Sequence, residues 1–152
     1  MTDASLNPLH DAAEIATRLH APNAELLIVI GAEAWCEKCQ RLRPVFEQLC
    51  RSRLPPYVLW MWMDLEDHAE FLGDFVPPDL PLMLRWRSGR CAQAALVLDI
   101  QPVPEAGHQH LQQRELIVQD DQLIDPADGS ISRVPDLWQS LLRAGAGMLR
   151  ST

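Results

Sequence analysis

The sequence lacks the apolar segments that would place it in or across a membrane. Its longest uninterrupted apolar runs, 26–32 and 57–63, have seven residues each, whereas a helix that spans a bilayer needs about 18 or more. The first twenty residues contain neither a cationic start nor an apolar stretch of signal-peptide length. We therefore expect a soluble, cytoplasmic protein that does not associate with membranes.

Basic residues are also scarce. Asp and Glu number 21 against 13 Lys and Arg, so the formal net charge is −8. A chain of this charge repels the phosphate backbone, which argues against nucleic acid as a partner. Only one of the basic residues is a lysine, Lys38, and it lies between two cysteines.

The composition is otherwise that of an ordinary globular domain. Hydrophobic residues make up 47% and charged residues 22% of the 152 residues, which excludes a disordered, collagen-like or purely coiled-coil chain. The length suits one core rather than two. We expect a single domain over residues 1–152.

The order of apolar patterns predicts an α/β fold. Strands and helices alternate in the first half, so the first two strands should be parallel and joined by a right-handed helical crossover. The third and fourth strands should form an antiparallel hairpin at Ser88 and Gly89. We predict a four-stranded mixed sheet covered by helices on both faces, with an insertion at about 101–131 before the last helix and a candidate strand at 115–118. The predicted helices are 8–20, 36–52, 66–75 and 135–148, and the predicted strands are 26–30, 57–63, 82–87 and 92–100.

Two of the four cysteines, Cys36 and Cys39, lie where a reactive thiol is favoured. A buried strand ends at Ala32, a short loop carries Trp35, and Cys36 then begins a helix, where unpaired backbone N–H groups and the helix dipole favour a thiolate. Lys38 adds a positive charge, so the pKa of Cys36 should be low and its thiolate nucleophilic. Cys39 lies one turn later on the apolar stripe and should be buried. Such a pair suits attack on a disulfide by Cys36 and resolution by Cys39.

These motifs resemble the thioredoxin family. The segment Trp35-Cys36-Glu37-Lys38-Cys39 is followed by Pro44 inside the helix and later by Asp79-Leu80-Pro81-Leu82 before a strand. The order and spacing match over about 8–100 and the last helix. The resemblance implies a thioredoxin-like fold.

The resemblance also implies roles for three further residues. The Leu80–Pro81 bond would be cis and Pro81 would lie against the two sulfurs. The backbone of Leu80 would pair with an extended substrate segment. Trp35 would border the nucleophile and contact the substrate.

The chain departs from the family at three places. The dipeptide between the cysteines is Glu-Lys rather than Gly-Pro, which indicates a different potential or partner. Ile30 stands where the family often has a buried aspartate that assists proton transfer, so we expect either slower exchange or a substitute role for Glu33 or Glu37 acting through water. The insertion at 101–131 has no counterpart in the minimal fold.

The cysteine pair also has a structural interpretation, as half of a zinc site. A structural zinc ion usually takes four ligands, and His68, His108 or His110 are the candidates to complete the set. Of the other cysteines, Cys50 is interpreted as a small buried hydrophobe and Cys91 as an incidental surface thiol.

A run of acidic residues lies between the second and third strands. It is interpreted as a solvated helix face, with a surface for a basic partner as the alternative. The run comprises Asp64, Glu66, Asp67, Glu70, Asp74 and Asp79. Trp60 and Trp62 point the same way along a strand and are interpreted as core packing. None of the five histidines is assigned a role.

The leading hypothesis is a thiol–disulfide oxidoreductase that reduces protein disulfides through Cys36 and Cys39. Its partners would be protein disulfides and an unidentified dithiol reductant or reductase. It would work as a monomer, with no cofactor and no bound metal. The alternatives are a thioredoxin-fold binding module or assembly chaperone, like hydrogenase accessory proteins, and a metal carrier.

Overall fold

A computed structural model of the chain describes residues 6–50, 55–75, 77, 79–102, 114–118 and 135–147. Helices and strands alternate through the first half of the chain, and strands dominate the second half. The elements are α1 (Ala12–Leu19), β1 (Glu25–Gly31), α2 (Glu37–Cys50), β2 (Val58–Asp64), α3 (Ala69–Leu72), β3 (Leu82–Arg87), β4 (Arg90–Pro102), β5 (Arg114–Val118) and α4 (Leu137–Gly145).

The strands form one mixed sheet in the order β2-β1-β3-β4-β5. β1 and β2 are parallel, with Val29 opposite Trp62, because α2 carries the chain back between them. The other neighbouring pairs are antiparallel. The predicted mixed sheet is confirmed, and the candidate strand at 115–118 joins it as a fifth strand at the edge beside β4.

The two faces of the sheet are covered by different helices, as predicted. Along β1, Leu26, Ile28 and Ile30 pack in one core cluster with α1, α3 and α4. Leu27 and Val29 pack in the other cluster, against the apolar side of α2. This alternation follows from the two-residue period of a strand, and it explains why β1 reads as a continuous apolar run.

α2 is the element that carries the cysteine pair. It has 14 residues, contains Pro44, and buries Cys39, Leu42, Phe46 and Leu49 on one side. It is the longest helix in the part of the chain that the structure describes. None of the described helices combines the length and the apolar character that crossing a bilayer would require.

The predicted helix at 66–75 is much shorter in the structure. α3 has only four residues. The Asp64 side chain accepts the backbone N–H groups of Glu66 and Asp67 as a helix cap does, but residues 65–68 form a turn and the helix begins only at Ala69. At the other end, Gly73 has φ of 58°. That left-handed conformation, which suits glycine, ends the helix.

Most of the predicted insertion at 101–131 lies outside the described residues, together with His108 and His110. Its described parts extend β4 to Pro102 and form β5, with Pro102 opposite Arg114. The single-domain organisation over 1–152 stays a prediction.

α1 and α4 pack closely where Gly145 faces α1. A Cβ at Gly145 would overlap the side chain of Ala16 and the carbonyl oxygen of Ala12. The missing side chain therefore sets the distance between the two helices.

Replacing Gly145 by alanine should destabilise the protein. The overlap with backbone should outweigh the gain in helix propensity, for a net loss of about 1–2 kcal/mol in the free energy of unfolding by urea. The exposed Gln139 on α4 provides a control, since Gln139→Ala should change that free energy by less than about 0.5 kcal/mol. An unchanged Gly145→Ala protein would contradict the close packing.

Candidate active site: a cysteine pair at the start of α2

Cys36 and Cys39 lie where the chain leaves β1 and enters α2. After Gly31 the chain forms a short loop, 32–35, and the N–H of Cys36 donates to the carbonyl of Ala32 at 2.9 Å. The two cysteines form a disulfide with a Cα–Cα distance of 5.2 Å, inside the usual range. The predicted pairing is therefore present in the structure.

The two sulfurs have different surroundings. Cys36 is half-buried, whereas Cys39 is 0% exposed and packs with the core beneath α2. The backbone N–H of Cys39 donates to Sγ of Cys36 at 3.1 Å. This bond would stabilise a thiolate at Cys36 after reduction, because a hydrogen bond to the charged form lowers the pKa of an acid.

Trp35 and Lys38 flank the pair on the surface side. Trp35 is 64% exposed, an unusual position for a large aromatic side chain. Lys38 is half-buried in the first turn of α2, and it forms no ion pair with any carboxylate among the described residues. The assigned roles of both residues remain predictions.

The segment before β3 contains the second sequence motif. The Leu80–Pro81 peptide bond is cis, Pro81 is buried, and its carbonyl accepts the N–H of Val97 at 2.9 Å. Leu80 packs against the same core cluster as Cys36. Its N–H donates to Asp79 Oδ1 at 2.8 Å, so a substrate segment pairing with this N–H would replace that contact.

The interpretation of the acidic run as a solvated face is wrong for Asp64. This residue ends β2 and is 2% exposed. Its carboxylate accepts the N–H of Glu33 at 2.8 Å, and those of Glu66 and Asp67 at 3.1 and 3.4 Å. A carboxylate held by backbone donors can be buried without loss, and here it ties the loop before Cys36 to the end of β2. The other acidic residues of the run are exposed.

His68, to which the sequence assigned no role, is buried beside Asp64. Its ring Nδ1 accepts the backbone N–H of Asp64 at 2.9 Å, and its backbone N–H donates to the carbonyl of Asp64 at 2.9 Å. Burial lowers the pKa of His68 from its ordinary value, and Arg43 lowers it further, against the opposing effect of Asp67 and other nearby carboxylates. An accepting Nδ1 also requires the neutral ring.

This buried histidine predicts a loss of stability in mild acid. Its pKa is lower in the folded than in the unfolded protein, so the unfolded state binds more protons between the two values. The free energy of unfolding should therefore fall as the pH drops from neutrality through about 6.5 toward the folded pKa. His68→Asn, which keeps an acceptor for Asp64, should show a smaller fall in urea titrations. Exposed His10→Asn is the control, and equal slopes in all three proteins would contradict the assignment.

Arg43 joins the loop before Cys36 to α2. Its guanidinium forms ion pairs with Glu33 and, at 3.9 Å, with Glu47, and lies 5.8 Å from the ring centroid of Trp62. No local pattern in the sequence connects Arg43 to Glu33. Glu33 and Glu37, the two candidates to replace the family's aspartate in proton transfer, are both exposed. Glu33 is also ion-paired with Arg43.

The two remaining cysteines are poor nucleophiles. Burial, assisted by Glu47, raises the pKa of Cys50 to about 12. Burial raises the pKa of Cys91 to about 11. Cys50 is buried, as predicted, whereas Cys91 is half-buried rather than a surface thiol. No cluster of three or more potential metal ligands occurs within the described ranges.

Alkylation should separate the cysteines by reactivity. In the oxidised protein at neutral pH, iodoacetamide should leave Cys50 and Cys91 largely unmodified, because few of their thiols are ionised. After reduction Cys36 should react first. Trypsin cuts after Lys38 and so puts Cys36 and Cys39 in different peptides, which mass spectrometry can follow separately. Fast modification of Cys91 at neutral pH would contradict its raised pKa.

The fold and the site define a class: a thioredoxin-like fold with a C-x-x-C disulfide at the start of the helix after β1. No family model and no curated protein matches the chain. Similar solved structures include thioredoxins from three sources. Thioredoxin f from spinach chloroplast (long form) is 13% identical, with 49% of this chain and 60% of that chain covered and a TM-score of 0.41.

A single-residue mutant of thioredoxin from Halobacterium salinarum NRC-1 is 21% identical, with 51% and 65% covered and a TM-score of 0.40. Thioredoxin from Trypanosoma brucei brucei is 18% identical, with 53% and 68% covered and a TM-score of 0.41. This chain thus spans 60% to 65% of the length of the first two structures. The fold assignment rests on the sheet order, the helical crossover and the cysteine pair rather than on these likenesses.

Proposed function

We propose that the protein is a thiol–disulfide oxidoreductase that reduces protein disulfides through Cys36 and Cys39. The observation that carries the proposal is the unequal pair at the start of α2. A half-buried Cys36, which accepts a backbone N–H, is disulfide-bonded to a fully buried Cys39. Such asymmetry suits one sulfur to attack and the other to resolve.

The reaction runs in two exchanges. In the reduced protein the Cys36 thiolate attacks one sulfur of a substrate disulfide, forms a mixed disulfide and releases the first substrate thiolate. The Cys39 thiolate then attacks Sγ of Cys36, restores the Cys36–Cys39 disulfide and releases the second. The substrate gains two electrons and leaves as two thiolates, which take up protons from Cys39 and from solvent. The protein loses two electrons, and Cys39 loses its proton as it becomes the attacking thiolate. A dithiol reductant must then reduce the pair again.

The residues around the pair are proposed to bind the substrate and tune the thiolate. Exposed Trp35 offers an apolar surface beside Cys36. The Leu80 backbone, next to Pro81, provides hydrogen-bonding groups for an extended segment around the substrate disulfide. Lys38 favours the thiolate by its charge. We also propose that the protein is cytoplasmic and monomeric, and that an unidentified dithiol reductant or reductase regenerates the reduced pair.

Insulin reduction driven by dithiothreitol tests the proposal. The wild-type protein should accelerate precipitation of the insulin B chain, and Cys36→Ser should lower the rate to that of dithiothreitol alone. Cys39→Ser should accumulate a mixed disulfide with the substrate, because the resolving thiol is gone. Cys91→Ser removes a free cysteine that is not part of the proposed pair. It serves as the matched control and should keep the wild-type rate.

Full activity in Cys36→Ser would exclude the proposed chemistry. The assembly-chaperone alternative makes a different prediction, namely that a Cys36→Ala/Cys39→Ala protein still supports its partner in cells. Loss of that support together with loss of insulin reduction would exclude the alternative.

A further inference from the structure

The N–H, the carbonyl and the carboxylate of Glu33 each contact a residue of β2 or α2, the two elements next to the loop 32–35. Its N–H donates to Asp64 Oδ1 at the end of β2, at 2.8 Å. Its carbonyl accepts from Gln40 Nε2 on α2, at 2.6 Å. Its carboxylate forms an ion pair with Arg43, one turn further along α2. Glu33 therefore attaches the loop 32–35 to both β2 and α2.

Arg43 is itself well seated for this contact. It lies over the ring of Trp62, which has only 2% exposure, and it also reaches Glu47 on its own helix. Trp62 takes this position because the neighbouring strand has Gly31, where a Cβ would overlap the indole ring. Stacking on an aromatic face and pairing with carboxylates are both suited to a planar guanidinium.

Glu33 lies three residues before Cys36 in the chain. It belongs to the loop 32–35, whose end is closed by the hydrogen bond from the Cys36 N–H to the carbonyl of Ala32. A negative charge near a thiol disfavours its thiolate, whereas a carboxylate neutralised by an arginine does so much less. The Arg43 ion pair therefore reduces the opposing charge that Glu33 can present to a nearby thiol.

We propose that Arg43 is a positioning residue for the cysteine pair. By holding the Glu33 carboxylate in an ion pair, Arg43 keeps the charge of Glu33 from opposing the Cys36 thiolate. The importance of this effect for exchange rests on the proposed function. The effect itself concerns only the reduced protein and needs no substrate.

The test measures the thiolate pKa of Cys36 in four variants of the full chain. They are Arg43→Gln, Glu33→Gln, the double variant, and Arg41→Gln as the control. Arg41 lies on the same helix, removes the same charge when replaced, and is exposed beside Asp99 at 3.7 Å. The readout is the pH dependence of iodoacetamide alkylation of Cys36 in the reduced protein, followed in the tryptic peptide that ends at Lys38.

Arg43→Gln should raise the pKa of Cys36 by about 0.5–1 unit. Alkylation measured at a pH below both pKa values should fall about three- to tenfold, since the thiolate fraction falls by that factor there. Glu33→Gln should not raise the pKa. The double variant should return to within about 0.2 unit of the wild type, because the unpaired carboxylate is gone. Arg41→Gln should change the pKa by less than half as much as Arg43→Gln.

Three results would overturn the proposal. Equal pKa shifts in Arg43→Gln and Arg41→Gln would mean that only the overall charge matters. A raised pKa that persists in the double variant would mean that Arg43 does not act through Glu33. A rise in Glu33→Gln would mean that loosening the loop, rather than the charge, changes the thiol. Failure of the wild type to reduce insulin would instead exclude the proposed function and leave these measurements standing.

Discussion

The parallel pairing of β1 with β2 is the constraint on which the site depends. Parallel neighbours require a crossover, and α2 provides it on one face of the sheet. The crossover must begin where β1 ends, so Cys36 and the first turn of α2 come to lie at the carboxyl edge of the sheet. The end of β2 reaches the same edge, where Leu65 donates its N–H to the carbonyl of Gly31. One topological choice therefore brings together the loop, the start of the helix and Asp64.

At that edge the backbone needs partners that the sheet no longer supplies. Asp64 meets this need with a buried carboxylate, which accepts N–H groups both from the loop before Cys36 and from the turn after β2. His68 in turn satisfies the N–H of Asp64. Buried polar groups are tolerated when their hydrogen bonds are complete, so these contacts hold the edge together through hydrogen bonds. On this support, Arg43 and Gln40 fix the remaining polar groups of Glu33.

Much of the fold could be predicted from the sequence, because apolar periodicity records which face of an element is buried. The continuous run in β1, the stripe on α2 and the Ser88–Gly89 turn each gave the correct element and neighbour. The helix at 66–75 was overestimated because apolar spacing does not show where a helix starts and stops; in the structure 65–68 form a turn and Gly73, with positive φ, ends α3. The backbone N–H groups that Asp64 accepts allow it to be buried within a run that composition assigned to solvent.

Local spacing along the chain is enough to establish the alternation of strands and helices and the placement of Cys36 and Cys39 at a helix start. It also set the unequal burial of the two cysteines, because Cys39 lies on the apolar stripe of α2. Which charged side chains surround the pair depends instead on the folding of distant segments against each other. Glu33, Arg43 and Asp64 belong to three different segments, and long-range pairing of charged side chains leaves no period in the sequence. They come into contact because the parallel strands β1 and β2 end side by side at the same edge of the sheet.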